Sequence, residues 1–208
     1  MNRDQHSTQG HWERVYSERG STELSWYQAV PERSLELIQR TGIERTAGII
    51  DVGGGDSTLV DELLKLGFSA VTVLDLSCAA LDRSRRRLGN RSRSVNWLNV
   101  NVIDAEIAPA SVGLWHDRAV FHFLNDQVDR DSYVQTVRRV VRPGGHVIVA
   151  TFAEDGPMHC SGLPVQRYSA TQLHGVFGDE FELIGSEREM HHTPAGKDQS
   201  FVYCWCRL

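Results

Sequence analysis

Residues 50–58, Ile-Asp-Val-Gly-Gly-Gly-Asp-Ser-Thr, join a short apolar run to an amphipathic stretch through three successive glycines. The run before the glycines, residues 47–52, has the β-branched character of a strand buried in a parallel sheet. After them, apolar residues recur at helical spacing over residues 57–66, and Gly67 follows as a helix stop. A strand, a glycine turn and a helix in this order predict an α/β domain.

The alternation of short apolar runs with amphipathic stretches continues along the chain. It predicts four further strands and two further helices, the strands over 70–76, 95–100, 112–119 and 146–152 and the helices over 77–88 and 130–142. The last two runs, 181–190 and 200–206, are joined by a loop that is too short for a parallel crossover. The sequence therefore predicts an α/β fold, a Rossmann-like three-layer αβα sandwich whose mostly parallel seven-stranded sheet ends in an antiparallel hairpin.

The chain has 208 residues, which suits one domain with a sizeable core. Residues 1–42 precede the first strand, and Pro31 can begin a helix there that ends before Gly42. We expect residues 1–42 to form a helical cap over the predicted site and residues 43–208 to form the core of a single domain.

Composition excludes several classes of partner. The net charge is −5, so no global basic field predicts a nucleic-acid partner, and the arginines of residues 83–93 are interpreted as a solvated helix face. No signal-peptide h-region or membrane-spanning run is present, which predicts a cytoplasmic protein without a membrane partner. The four cysteines lack zinc-site spacing, so no metal is predicted, and the oligomeric state is left open.

Two parts of the predicted domain point to a nucleoside ligand. Gly53 and Gly55 permit a tight turn and a close approach of ligand to backbone at the carboxyl edge of the sheet. Asp75 falls 24 residues after Asp51, at the end of the second strand, where a carboxylate can accept hydrogen bonds from both ribose hydroxyls.

The pattern alone fits either a nicotinamide dinucleotide or S-adenosylmethionine. Thr58 stands where a dinucleotide motif has its third glycine, and Asp51 can pair with an amino-acid ammonium group. These features, with the antiparallel hairpin, favour S-adenosylmethionine. An NAD-dependent oxidoreductase, for which no Tyr-x-x-x-Lys pair is present, and a catalytically silent nucleotide-binding module are the alternatives.

Three segments, residues 51–55, 73–77 and 140–146, resemble motifs of class I S-adenosylmethionine-dependent methyltransferases. Residues 12–16 and 23–27 resemble a subgroup that includes protein-lysine methyltransferases, in which N-terminal aromatic residues lie over the cofactor. The resemblance implies S-adenosyl-L-methionine as cofactor and S-adenosyl-L-homocysteine as product. The residues predicted to bind the cofactor are Trp12, Tyr16, Trp26, Asp51, Gly53, Gly55, Ser57, Asp75, Leu76, Asn101 and Val102.

One position departs from the family pattern. Asn101 stands where the family often has an aspartate that accepts a hydrogen bond from the adenine amino group. An amide oxygen can accept the same bond, so cofactor binding is still expected.

The methyl acceptor is expected near the end of the fourth strand, residues 114–124. Asp117 and His122 are the candidate catalytic residues, because either could contact the acceptor and a histidine titrates near neutrality. The alternatives are a structural histidine and a buried Asp117–Arg118 ion pair. The loop 154–164 is expected to form a wall of the acceptor pocket, and residues 191–192 an exposed histidine pair in a loop.

These observations together predict methyl transfer to an N, O or S nucleophile. The acceptor is expected to be a protein lysine or a small metabolite, on the strength of the subgroup resemblance.

Overall fold

A seven-stranded sheet forms the centre of the computed structural model, which describes the backbone of residues 3–208 and the side chains of residues 8–208. Its strands are β1 (Ile49–Val52), β2 (Val71–Asp75), β3 (Val95–Asn99), β4 (Val112–Arg118), β5 (Val141–Phe152), β8 (Glu182–His192) and β9 (Asp198–Arg207). Two short strands, β6 (His159–Cys160) and β7 (Leu163–Pro164), form a separate hairpin. The helices are α1 (Arg3–Glu18), α2 (Glu32–Arg40), α3 (Leu59–Lys65), α4 (Cys78–Leu88), α5 (Gln127–Val140) and α6 (Ala170–Phe177).

The strand order is β3-β2-β1-β4-β5-β9-β8. Strands β1 to β5 pair in parallel, whereas β9 pairs antiparallel with both β5 and β8. The predicted fold class is therefore confirmed. The chain turns from β3-β2-β1 to β4 at the centre of the sheet, and open α/β sheets bind ligands at such a switch point.

Two apolar clusters cover the faces of the sheet and complete the three layers. One contains Trp115 and Tyr133 and lies under α5 and α6. The other contains Ile38, Leu63 and Leu81, which come from α2, α3 and α4. Strands β1 and β4 are buried along almost their whole length because helices cover both faces, as is usual for parallel sheets.

The junction between α5 and β5 differs from the prediction. The helix ends at Val140, and β5 begins at Val141 rather than at residue 146. A residue before proline disfavours helical backbone, so Arg142 cannot continue the helix into Pro143. The early part of β5 pairs Val141 with Val112, and a shift of register follows before the regular ladder.

The C-terminal hairpin requires a second correction. The prediction placed His191 and His192 in an exposed loop, but both lie in β8. His191 is buried, with Nε2 2.8 Å from the Ser25 carbonyl oxygen, while His192 is exposed and pairs with Asp198. Alternation along a strand puts neighbouring residues on opposite faces, which explains why the two histidines differ.

The N-terminal segment of the described chain is helical. Helix α1 packs against α4, and α2 packs against α3. Met1 and Asn2, with which the predicted cap begins, lie outside the described residues. None of the described helices is long and apolar enough to cross a membrane.

Candidate functional site

A cavity of about 300 Å³ opens at the carboxyl ends of β1, β2 and β4. The predicted cofactor residues that line it are Trp12, Tyr16, Trp26, Gly53, Asp75, Leu76, Asn101 and Val102. A smaller adjoining pocket of about 60 Å³ lies beside the glycine turn and is lined by Asp51 and Ser57. The structure thus brings together most of the predicted residues, although they are spread over the first half of the chain.

The glycine turn is shaped by close packing on both of its sides. Gly53 has φ +65°, and a Cβ atom there would overlap Cγ2 of Val120, in the turn after β4. A Cβ atom on Gly55 would lie 2.5 Å from Oδ2 of Asp75. Gly55 lines neither pocket, and its small size leaves room for the Asp75 carboxylate.

Asp75 ends β2 and lines the large cavity, although its side chain is almost wholly buried. Its Oδ1 accepts a hydrogen bond of 2.8 Å from the backbone N–H of Ser77. Burial raises the pKa of Asp75 to about 7, with smaller contributions in the same direction from the carboxylates of Asp51 and Glu13. A carboxyl group in this condition gains from any further hydrogen-bond donor that enters the cavity.

The smaller pocket contains two buried atoms of opposite charge that lack hydrogen-bond partners. Oδ1 of Asp51 lies 2.7 Å from Nδ1 of His116, but Oδ2 has no hydrogen-bond partner among the described residues. Arg118 donates from Nε to the Tyr203 hydroxyl, yet its Nη2 also lacks a hydrogen bond within that part of the chain. The nearest carboxylate, Glu189, is 3.6 Å from that Nη2.

Aromatic rings from the N-terminal segment cover the cavity. The ring of Trp12 lies edge-on to Trp26 at 5.7 Å and to Phe123 at 5.1 Å. Glu13, on the same helix, accepts hydrogen bonds from the Ser77 hydroxyl and the Ala79 backbone N–H at the start of α4. These contacts fix α1 over the same turn that holds Asp75.

Asp117, one of the two candidate catalytic residues, does not line the cavity. It is fully buried and accepts hydrogen bonds from the backbone N–H groups of Val120 and Phe121 and from the Tyr133 hydroxyl. Burial raises its pKa to about 6. It is not paired with Arg118, because adjacent residues of β4 point to opposite faces of the sheet.

His122, the other candidate, is also fully buried and does not line the cavity. Its Nδ1 accepts a hydrogen bond from the backbone N–H of Phe152. Burial, together with the nearby Arg118 guanidinium, lowers the pKa of His122 to about 3, so the ring is neutral and a weak base at physiological pH. The structure therefore does not support acceptor contacts for Asp117 and His122, whose surroundings indicate structural roles.

The role of Asp117 can be tested by stability measurements. Asp117→Ala leaves two backbone N–H groups and the Tyr133 hydroxyl without their acceptor, so the free energy of unfolding should fall by about 2–4 kcal/mol. Urea titration at pH 7 would measure the change, with the exposed Asp179→Ala as a control. Unchanged stability would contradict a structural role for Asp117.

Several residues that line the cavity were missed by the sequence prediction. Arg118 was considered only as a partner of Asp117, and Phe123 had no assigned role. Cys160 comes from the loop predicted to wall the acceptor pocket, and burial raises the pKa of its thiol to about 12. His159 beside it is exposed.

The sequence is similar to those of known methyltransferases. Residues 50–147 match the model of a family described as a methyltransferase domain. The human EEF1A lysine methyltransferase 2 is 25% identical over 191 residues, which cover 85% of this chain and 75% of that protein. The bovine eEF1A lysine and N-terminal methyltransferase is 23% identical over 189 residues, and the match covers 85% of this chain but only 26% of that longer protein.

The fold is shared with solved methyltransferases. The 1,6-didemethyltoxoflavin-N1-methyltransferase of Burkholderia thailandensis, solved with 1,6-didemethyltoxoflavin and S-adenosylhomocysteine bound, superposes with a TM-score of 0.68 at 18% identity over 98% of this chain and 85% of that one. The chain is therefore similar to methyltransferases in sequence over residues 50–147 and in fold over nearly its whole length. Nothing in these comparisons supports the NAD-dependent oxidoreductase alternative.

Proposed function

We propose that this chain binds S-adenosylmethionine in the paired pockets and transfers its methyl group to an amine nitrogen. The observation that carries the proposal is a pair of buried atoms of opposite charge, Asp51 Oδ2 and Arg118 Nη2, which lack a hydrogen bond within the described residues and lie beside a cavity walled by Asp75. A buried charged atom without a hydrogen bond is costly, so each atom is suited to a ligand group of opposite charge.

The residues fit the parts of the cofactor one by one. Asp75 would accept hydrogen bonds from the ribose hydroxyls, and the amide of Asn101 would serve the adenine amino group. Asp51 would take the ammonium group of the methionine portion, and Arg118 its carboxylate. The absence of a side chain at Gly53 leaves space between the two pockets, both of which this residue lines.

The remaining wall of the cavity is suited to a methyl acceptor whose nucleophilic atom needs no strong base to remove a proton. Trp12, Trp26, Phe123 and the neutral thiol of Cys160 form this wall. When bound, the cofactor supplies a methyl group already activated by its sulfonium, so positioning of the acceptor can provide most of the rate. The aromatic faces would stabilise the positive charge that an amine acquires on methylation, before its proton passes to water.

Charge at the edge of the cavity supports an amine over an acidic acceptor. Asp126 and Asp129 line the cavity, and negative groups attract cationic substrates. A protonated amine attracted in this way would lose one proton to water before its nitrogen attacks the methyl carbon. Relatives of this chain are named as lysine methyltransferases, whereas the Burkholderia enzyme was solved with a small-molecule ligand. We therefore propose either a protein lysine or a small-molecule amine as the acceptor.

Calorimetry tests cofactor binding directly. We expect S-adenosylmethionine and S-adenosylhomocysteine to bind with micromolar dissociation constants and NAD not to bind, because the pockets match an adenosine with an amino-acid tail. NAD binding without S-adenosylhomocysteine binding would contradict the proposal.

A labelling experiment tests the acceptor. S-adenosylmethionine with a radioactive methyl group is incubated with the protein and a cell lysate, which is then separated into protein and small-molecule fractions. We expect label on nitrogen, recovered as methyl-lysine if the acceptor is a protein. Label on oxygen or sulfur would contradict the amine, and tight cofactor binding without transfer to any fraction would indicate a silent binding module.

A further inference from the structure

A buried chain of hydrogen bonds runs from the glycine turn into the N-terminal cap. Nδ1 of His116 lies 2.7 Å from Oδ1 of Asp51, and Nε2 of His116 lies 2.9 Å from the hydroxyl oxygen of Ser34. The three residues belong to β4, β1 and α2, and none is more than 3% exposed. All three line the smaller pocket.

The same order of groups, serine then histidine then aspartate, occurs in hydrolytic triads. A nucleophilic serine must be reached by its substrate, whereas Ser34 is fully buried within α2. The oxygen that lacks a hydrogen bond from the described residues lies at the other end of this chain, on Asp51. The arrangement therefore directs Asp51 toward the pocket and does not expose Ser34.

We propose that His116 is a positioning residue that holds the Asp51 carboxylate with its second oxygen aimed at the ammonium group of the bound methionine portion. This inference rests on the function proposed above. The N–H at Nδ1 of His116 donates to Oδ1 of Asp51, and the Ser34 hydroxyl, by donating to Nε2, fixes the tautomer that carries this N–H.

A separate set of hydrogen bonds holds Arg118, at the other charged end of the smaller pocket. Arg118 lies two residues from His116 on the same face of β4 and donates to the Tyr203 hydroxyl at 3.0 Å. That hydroxyl donates in turn to Glu189 Oε2 at 3.0 Å. Because Ser34 is part of α2, the position of the N-terminal cap is coupled to the group that would hold the ammonium.

Comparing the affinities of two ligands distinguishes a role of His116 in positioning Asp51 from a general effect of the substitution on the fold. S-adenosylhomocysteine carries the amino-acid group, whereas 5′-methylthioadenosine shares its nucleoside and thioether but lacks that group. Calorimetry with both ligands would be done on the full chain and on three variants, His116→Leu, His116→Asn and the control His146→Asn. His146 is a partly buried histidine on β5, beside Leu114 and outside the hydrogen-bond chain.

We expect His116→Leu to weaken S-adenosylhomocysteine about tenfold or more, the scale for one charge-assisted hydrogen bond, and to leave methylthioadenosine within about threefold. In His116→Asn the side-chain amide can take the place of Nδ1 and should restore most of the lost affinity. His146→Asn should change neither affinity.

Equal losses for both ligands in His116→Leu, or no recovery in His116→Asn, would overturn the role of His116 while the proposed function stood. A wild-type chain that bound neither ligand would overturn the proposed function itself, and the inference with it. If His116→Leu does not fold, Ser34→Ala replaces it, with a selective loss of S-adenosylhomocysteine affinity as the supporting result and an unselective loss as the contrary one.

Discussion

Replacing Asp75 with asparagine is expected to stabilise the unliganded protein at pH 8 while weakening its binding of S-adenosylmethionine. Burial raises the pKa of Asp75 in the folded chain to about 7, from an ordinary value of 3.8. The folded chain therefore keeps a proton between about pH 4 and pH 7 that the unfolded chain has lost. The free energy of unfolding therefore falls as the pH rises through this window. Above about pH 7 the full cost of the buried Asp75 charge is present.

Asparagine cannot ionise, so the variant avoids this cost. We expect its free energy of unfolding to exceed that of the wild type by about 1–3 kcal/mol at pH 8 and by well under about 1 kcal/mol at pH 4. Urea titrations at the two pH values measure the difference. A variant less stable than the wild type at pH 8 would show that Asp75 is not strained in the unliganded state.

The same substitution should weaken cofactor binding by about 1.5–3 kcal/mol, because an amide offers one acceptor oxygen where a carboxylate offers two. In the wild type, affinity should also fall as the pH drops below about 7, since Asp75 must lose its proton to accept from both ribose hydroxyls. Calorimetry of the variant should show no such pH dependence. A variant with wild-type affinity would argue against the ribose contact.

The second large effect is expected at Gly53. Gly53→Ala places a Cβ in a left-handed backbone conformation and against Cγ2 of Val120. Strain and overlap together should cost about 2–4 kcal/mol of stability, and movement of Val120 into the cavity should also weaken cofactor binding.

Gly42 provides the matched control. Its φ of +66° is nearly the same, but a Cβ there would meet no atom within 4 Å. Gly42→Ala should therefore cost only about 1 kcal/mol, from backbone strain, and leave cofactor affinity unchanged. The double variant Gly53→Ala/Val120→Ala should recover part of the loss. Equal losses in Gly53→Ala and Gly42→Ala would show that packing against Val120 is unimportant.

The sequence predicts the sheet and the glycine turn well because both depend on local signals. Ser77 illustrates this, since its hydroxyl accepts from the Ala80 N–H and begins α4 at the expected residue. The position of Asp75 follows from the length of β2, so its arrival at the cavity edge could also be predicted.

The roles of the residues in β4 and in the turn after it could not be predicted from the sequence in the same way. Helices cover both faces of this strand, so burial does not reveal which side chains face the cavity. Asp117 and His122 are packed away from the cavity, whereas Arg118 lines it. The link from Ser34 to Asp51 was equally hidden, because it depends on how α2 packs against the sheet.

Helix α1 lies within the predicted helical cap, but its bounds could not be predicted, for a different reason. Its sequence is polar, with Trp12, Val15 and Tyr16 as its main apolar residues in the described part, so the periodic signal is weak. Contacts distant in sequence hold it in place, such as the bonds between Glu13 and the start of α4.

A crystal structure of the full chain with S-adenosylhomocysteine would test the central claim most directly. We predict that both ribose hydroxyls donate to Asp75 and that the amino-acid group lies between Asp51 and Arg118. A nucleoside bound elsewhere on the molecule, with Asp75 facing only protein atoms, would contradict the account.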